Sequence, residues 1–174
     1  MNANEIQVLK LVLHERLLGY LVGYQGGKNV LSFADSFKVD DNRPTFSLVT
    51  HPNFPHSEKL LETPWARSHK LHPILSNLLP EGSLRALIAQ GLKVHPDNEF
   101  QILSYLGRDL PGALIAEPLE PDDVPDSVLA LHAQAKPVSI EKSKQENKFS
   151  LAGVQMKFSM KEQDGRYNLP RDEV

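Results

Sequence analysis

The sequence predicts an α+β fold: a small antiparallel N-terminal sheet with several short helices, followed by a linker and a closing β-hairpin. Three observations carry this expectation. Val- and Leu-rich stretches separated by tight-turn residues fill residues 6–33, and apolar residues recur at three- and four-residue spacing through residues 71–107. A strand, turn and strand pattern then closes the chain after a polar stretch broken by prolines. The 174 residues are 40% hydrophobic and 24% charged, an ordinary globular composition that excludes a fully disordered chain.

Taken in order, IQVLKLVL from Ile6, LLGYLVGY from Leu17 and NVLSF from Asn29 read as a meander, with Gly26-Gly27 as a tight turn. TFSLVT, residues 45–50, alternates apolar and polar after Pro44 and is expected to add a strand. HPNFPHSEKLLETPWARSHK carries Pro52, Pro55 and Pro64, each removing a backbone donor, so a surface loop with one short turn is expected there. LHPILSNLL, GSLRALIAQ and DNEFQILSYLG predict three short helices, with Ser83 and Asp97 placed as caps and Gly91 and Gly107 as stops. ALIA, residues 113–116, suits a returning strand. Leu9, Leu11, Leu13, Leu21, Leu78, Leu79, Leu84, Leu87, Ile88, Phe100, Leu103 and Leu106 are the expected core.

Pro118, Pro121, Pro125 and Pro137, followed by EKSKQENK, mark a loose connector with one weak helix around residues 127–135. FSLAGVQMKFSM, EQDG and RYNLP then predict a hairpin bending at Asp164-Gly165. Two strands bury no core by themselves, so this hairpin is expected to pack on the first domain, on another chain or on further sequence.

The net charge of −3 gives no general attraction to a phosphate backbone, so DNA is expected to be reached only through a partner. The longest apolar run, residues 17–24, includes Gly19 and Gly23 and falls far short of the roughly 18 apolar residues of a spanning helix, so no membrane association is expected. The start, MNANEIQVLK, has no basic stretch leading into an apolar one, and Cys is absent. A cytoplasmic location is the expectation.

His51, His56, His69 and His72 cluster in sequence, and His69 and His72 stand at helical spacing. Without Cys or an HExxH pattern they read as solvated loop histidines, and no metal ligand is assigned. Trp65, the single Trp, stands beside Arg67. It is either a buried anchor for its loop or, with Arg67, a partner contact, since Trp and Arg are favoured at interface hot spots.

Three segments merit attention together. In NLLPEGSLRALIAQ, residues 77–90, Pro80 and Gly82 bend the chain and Ser83 with a nearby carboxylate is expected to cap the next helix. In NEFQILSYLGRDLPGALIAEP, residues 98–118, Gly107 ends a helix and an Arg108–Asp109 pair is expected to hold the turn before Pro111 and Gly112. In SLAGVQMKFSM, residues 150–160, Gly153 between Ala152 and Val154 would let backbone N–H groups approach a phosphate.

In this order and spacing the three segments resemble the HipA family of bacterial serine/threonine protein kinases, the toxin component of two- and three-gene toxin–antitoxin systems. The resemblance implies a HipA N-terminal subdomain over residues 1–118, a linker over 119–148, and at 149–174 the first hairpin of a kinase core, cut short. Ala152, Gly153, Val154, Gln155 and Lys157 would then belong to the loop that covers the ATP phosphates, and Ser150 would match a regulatory serine whose self-phosphorylation moves that loop. As a bare residue Ser150 reads as an exposed linker serine, because a phosphoserine there needs a competent kinase domain to create it. Met156 departs from the family, many members of which carry Glu there.

A kinase of this type also needs a Lys on the next strand, an Asp to orient the attacking hydroxyl, and Asn and Asp ligands for magnesium. In the family these lie downstream of Val174, and Lys157 is a poor substitute, so no catalytic residue is assigned. ATP and magnesium belong to the intact kinase, and neither is expected to bind this chain tightly. The implied partners are a helix-turn-helix HipB-like antitoxin, through which DNA would be reached, and the remaining kinase core or a separate kinase subunit. The implied substrate is an aminoacyl-tRNA synthetase, whose phosphorylation would arrest growth and produce drug-tolerant persistence. The alternative is a stand-alone, non-catalytic HipS-like antitoxin or adaptor that binds the kinase.

Overall fold

The computed structural model describes residues 6–134, 161–163 and 166–168. The chain divides into two compact units, Met1–Ser143 and Lys144–Val174.

The first unit is built on a five-stranded antiparallel sheet. Strands β1 (Ile6–Leu13), β2 (Arg16–Tyr24), β3 (Lys28–Phe33), β4 (Trp65–Ser68) and β5 (Leu114–Pro118) lie in the order β4-β3-β2-β1-β5. The expected meander and returning strand are both present, the latter pairing antiparallel with β1 from Leu9↔Pro118 to Leu13↔Leu114. The first hairpin turns on His14 and Glu15 with φ of 48° and 63°, a left-handed pair at positions that two-residue turns more often give to Asn and Gly. Gly26 and Gly27, with φ of 81° and 83°, make the second turn as their lack of a Cβ predicts. The β1–β2 register slips between Leu11 and Val12, skipping Leu18, which is fully buried.

Alternation along the strands sends Leu9, Leu11, Leu13, Leu21, Leu31 and Phe33 to one face, where they meet Leu75, Leu79, Phe100, Ile102 and Leu103. These come from α3 (Pro73–Ser76) and α5 (Glu99–Leu106) and the turn after α3, while α4 (Gly82–Leu92) adds Ala89. The opposite face is covered as well. Val8 and Val22 pack against Val128 of α6 (Asp126–Gln134), the helix expected near residues 127–135.

The expected core is largely in place, with one exception. Leu87 is 64% exposed, because the face α4 turns inward is carried by Ala89 and the half-buried Leu84, Ile88 and Leu92. Both expected helix caps are also corrected. Glu81 and Asn98 occupy the N-cap positions of α4 and α5 without side-chain hydrogen bonds, one residue or two from the places where Ser83 and Asp97 were looked for. Helix α4 runs through Gly91 and stops at Lys93, whose left-handed φ of 56° lets its N–H reach the Ala89 and Gln90 carbonyls. Gly107 does end α5, but for a different reason than a left-handed cap. A Cβ there would lie 1.9 Å from the Ala116 carbonyl oxygen of β5, so only glycine lets the helix end approach the strand.

Residues 45–50 are not a strand. Ser47 and Thr50 form a reciprocal capping box on a single 3-10 turn, Leu48–Thr50, and the alternation of TFSLVT reflects a turn that buries Thr50 while leaving Leu48 in solvent. Arg43 fixes this region, its guanidinium donating to the carbonyls of Thr50 at 2.8 Å and of Lys38, the last residue of the short helix α1 (Asp35–Lys38), at 3.2 Å. The prolines of residues 51–70 likewise allow more order than a loop. Pro52 and Pro55 precede α2 (Ser57–Glu62), and Pro64 immediately precedes the edge strand β4, the place in a sheet where a lost donor costs least.

In the second unit β6 (Lys161–Gln163) and β7 (Arg166–Asn168) pair antiparallel, and the expected bend residues Asp164 and Gly165 lie outside the described residues.

Candidate functional site

Strand β4 and the segment after it bring the two candidate contact residues of the first unit into one place. Trp65 stands opposite Leu31 and Arg67 opposite Asn29 in the register with β3, so both side chains take the helix-covered face of the sheet. Trp65 is therefore a strand residue, which corrects its expected place in a loop. Its ring meets Phe33 edge-on with centroids 5.0 Å apart, and its Nε1–H donates to the Leu60 carbonyl at 2.8 Å. Half-buried in this way, the indole is anchored on one edge while the rest borders an open cleft of about 360 Å³ lined by Val49, Leu60, Ala66, Arg67 and His72.

His72 closes the cleft. Its ring lies 4.5 Å from that of Trp65, and its Nδ1 accepts the Ile74 N–H at the start of α3. Burial, and then the charge of Arg67, hold its pKa below the usual histidine value, favouring the neutral ring that such an acceptor role needs. The expectation of solvated loop histidines thus fails at His72, while His69 turns the chain with a φ of 64° as its N–H donates to the Gly27 carbonyl at 2.7 Å.

The position of His72 is fixed from behind. Glu99, 1% exposed, accepts the Leu71 N–H at 2.8 Å and the Ser76 hydroxyl at 2.9 Å, pinning both flanks of the segment that carries His72. Arg85 completes the network, donating from Nη1 to Glu99 at 2.9 Å and from Nε to the Pro80 carbonyl at 2.8 Å. The LPEG bend is thereby tied to the same carboxylate through Arg85. Sequence reasoning missed Glu99, and its one signal was a carboxylate at the first position of an otherwise apolar helix. Arg108 does not pair with Asp109 as expected. It reaches Glu117 at 3.1 Å across β5, and Asp109 takes part in the turn through its N–H to the Leu106 carbonyl.

Ser150, Ala152, Gly153, Val154, Gln155 and Lys157 lie outside the described residues. Among the described residues no group of three or more His, Cys, Asp or Glu side chains is placed to hold a metal ion, and no helix is long and apolar enough to cross a membrane.

The five-stranded antiparallel sheet, with helices on its inner face and its LPEG bend tied to Glu99 through Arg85, makes an α+β domain. The model of the HipA N-terminal domain matches residues 9–117, from the middle of β1 to the end of β5, and the chain belongs to that family. It is 36% identical over 155 residues, 89% of its length, to the protein named "Putative kinase Y4dM" of Sinorhizobium fredii. It is also 30% identical over 179 aligned positions, 95% of its length, to "Putative kinase Y4mE" of the same organism. The chain spans 36% and 40% of those two relatives' lengths.

Proposed function

We propose that this chain is the N-terminal regulatory and partner-binding portion of a HipA-type toxin–antitoxin protein kinase. The observation that supports it is that the family match, residues 9–117, takes in all five strands of the sheet and the helices α3 to α5 on its inner face. The intact enzyme would use ATP and magnesium to phosphorylate a protein serine or threonine, with an aminoacyl-tRNA synthetase as the substrate and growth arrest as the consequence. In this reading Ala152, Gly153, Val154, Gln155 and Lys157 belong to the loop over the ATP phosphates and Ser150 is its regulatory phosphorylation site.

The partners are the catalytic core of the kinase and a small helix-turn-helix antitoxin, which carries the complex to DNA while a chain of net charge −3 stays off the phosphates. Trp65 and Arg67 are the contact residues, since they stand together at a rim that is preorganised by Glu99 and His72.

Phosphoryl transfer from labelled ATP tests this. The catalytic region of Y4dM is assayed with an aminoacyl-tRNA synthetase as acceptor, with and without 1–174, and the two are run together through gel filtration. The reading expects co-elution and a changed rate. Separate elution with an unchanged rate would refute the partner-binding role. Suppression of transfer to background by 1–174 added in trans is the result that favours the adaptor reading over the kinase-fragment one.

A further inference from the structure

Strand β4 ends the sheet, and its outer edge has a defined chemistry. The His69 N–H donates to the Gly27 carbonyl, which makes that pair a hydrogen-bonded one. Antiparallel pairs alternate, so Arg67 and Trp65 spend their backbone groups on β3 while the N–H and C=O of Ala66 and the N–H of Ser68 point away from the sheet. Ala66, Arg67 and Ser68 are all exposed, whereas natural sheets usually cover or twist away such an edge. The Ser68 carbonyl is already taken by the Lys70 N–H at 2.8 Å, so the open row centres on Ala66.

Two further features lie along this row. The apolar cleft beside Trp65 and Val49 has room for a side chain, and Arg67 has no carboxylate partner among the described residues. Lys28, opposite Ser68, adds positive charge at the same end, whereas Lys70, two residues further on, pairs with Asp97 at 3.9 Å.

We propose that the β4 edge is a strand-addition site for an extended, acidic segment of a partner protein. The segment's backbone pairs with Ala66 and Ser68, one apolar side chain enters the cleft at Trp65, and a carboxylate nearby meets Arg67. The edge gives hydrogen bonds that any extended chain can use, and the guanidinium selects among chains by charge. The site exists whether or not the chain works with a kinase, because it is made by β4 and the cleft beside it.

Selection of a displayed library of random decapeptides on 1–174, followed by amide exchange of the complexes, tests the assignment. Enriched peptides should carry an Asp or Glu and slow the exchange of the Ala66 and Ser68 amides. Arg67→Gln should reduce their affinity at least tenfold and erase the preference for acid over amide, and Arg67→Glu should turn selection toward Lys-containing peptides. Ala66→Pro removes only an outward N–H and should abolish binding, with circular dichroism and the melting temperature showing whether the sheet persists. No enrichment, enrichment without acidic residues, helical peptides in the cleft, or protection of Ala66 through self-association in sedimentation each overturn the proposal. Should Ala66→Pro fail to fold, unchanged acid preference in Arg67→Gln overturns it on its own.

Discussion

The Glu99 carboxylate and the Arg85 guanidinium meet at 2.9 Å, and that pair holds the segment carrying His72 against Trp65. Glu99 is almost fully enclosed and Arg85 largely so, which makes the pair costly to break from one side even where its net contribution is small. Glu99→Ala would leave Arg85, the Leu71 N–H and the Ser76 hydroxyl without their acceptor. The expected loss is about 3 kcal/mol in urea unfolding, with the emission of the single Trp moving to longer wavelength. An unfolding midpoint and a spectrum like those of the parent chain would show that the carboxylate fixes nothing.

Trp65 packs against Phe33 and is proposed to contact a partner, and two substitutions separate the roles. Trp65→Phe keeps the ring against Phe33 but loses the bond to the Leu60 carbonyl, for an expected cost of about 1 kcal/mol. Trp65→Ala removes the ring from a half-buried site and should cost about 2 kcal/mol in stability, below the range for fully buried aromatics. If Trp65→Ala weakens partner association tenfold while Trp65→Phe does not, the ring contacts the partner. A loss of stability with affinity intact would leave the residue a packing anchor alone.

The end of α5 requires glycine. Gly107→Ala sets a methyl carbon 1.9 Å from a backbone oxygen of β5, which no rotamer change relieves. A destabilisation of about 3 kcal/mol is expected, at the upper end of overpacking costs, with most of the change in the β1–β5 amides. Substitution at Gly112, where a Cβ meets nothing within 4 Å but φ is 95°, tests strain without a clash.

The pH dependence of stability follows from His72. Its folded pKa lies below the unfolded value, so between the two the unfolded chain binds more protons and stability rises with pH. The contribution is fully present above the unfolded histidine value and is lost as pH falls toward the folded one. Denaturation midpoints followed downward from neutral pH should therefore decline, and His72→Gln should flatten that part of the curve. A slope that survives the substitution assigns the effect to another group.

On the proposed function, residues 1–174 are expected to transfer no phosphate from magnesium-ATP and to bind the nucleotide only weakly, since Gly153 and its neighbours would offer only one edge of a phosphate site. Labelled phosphate on any acceptor, or calorimetric binding of ATP at low micromolar concentration, would contradict this.

What the sequence determined by itself was the part of the fold that periodicity and turn chemistry encode. The alternation of β1 to β3, the glycine turn at Gly26-Gly27, the helical spacing of α3 to α5 and the return of residues 114–118 all depend on near neighbours, and a resemblance carried by three segments located the family. The tertiary structure decided the rest. TFSLVT alternates like a strand, yet the capping box of Ser47 and Thr50 and the reach of Arg43 make it a turn, because Arg43 is buried between this turn, the Lys38 carbonyl and the Ser57 hydroxyl, which only the packed chain brings together. WARS looks like a broken loop between prolines, but a sheet edge tolerates Pro64 and β3 supplies the missing bonds from more than thirty residues away. Trp65 and Arg67 were visible as an unusual pair, while Glu99 was not, and His72 was legible only as one of a cluster of loop histidines. A buried carboxylate is defined by the donors folded around it, and those come from Leu71, Ser76 and Arg85, which only the packed chain brings together.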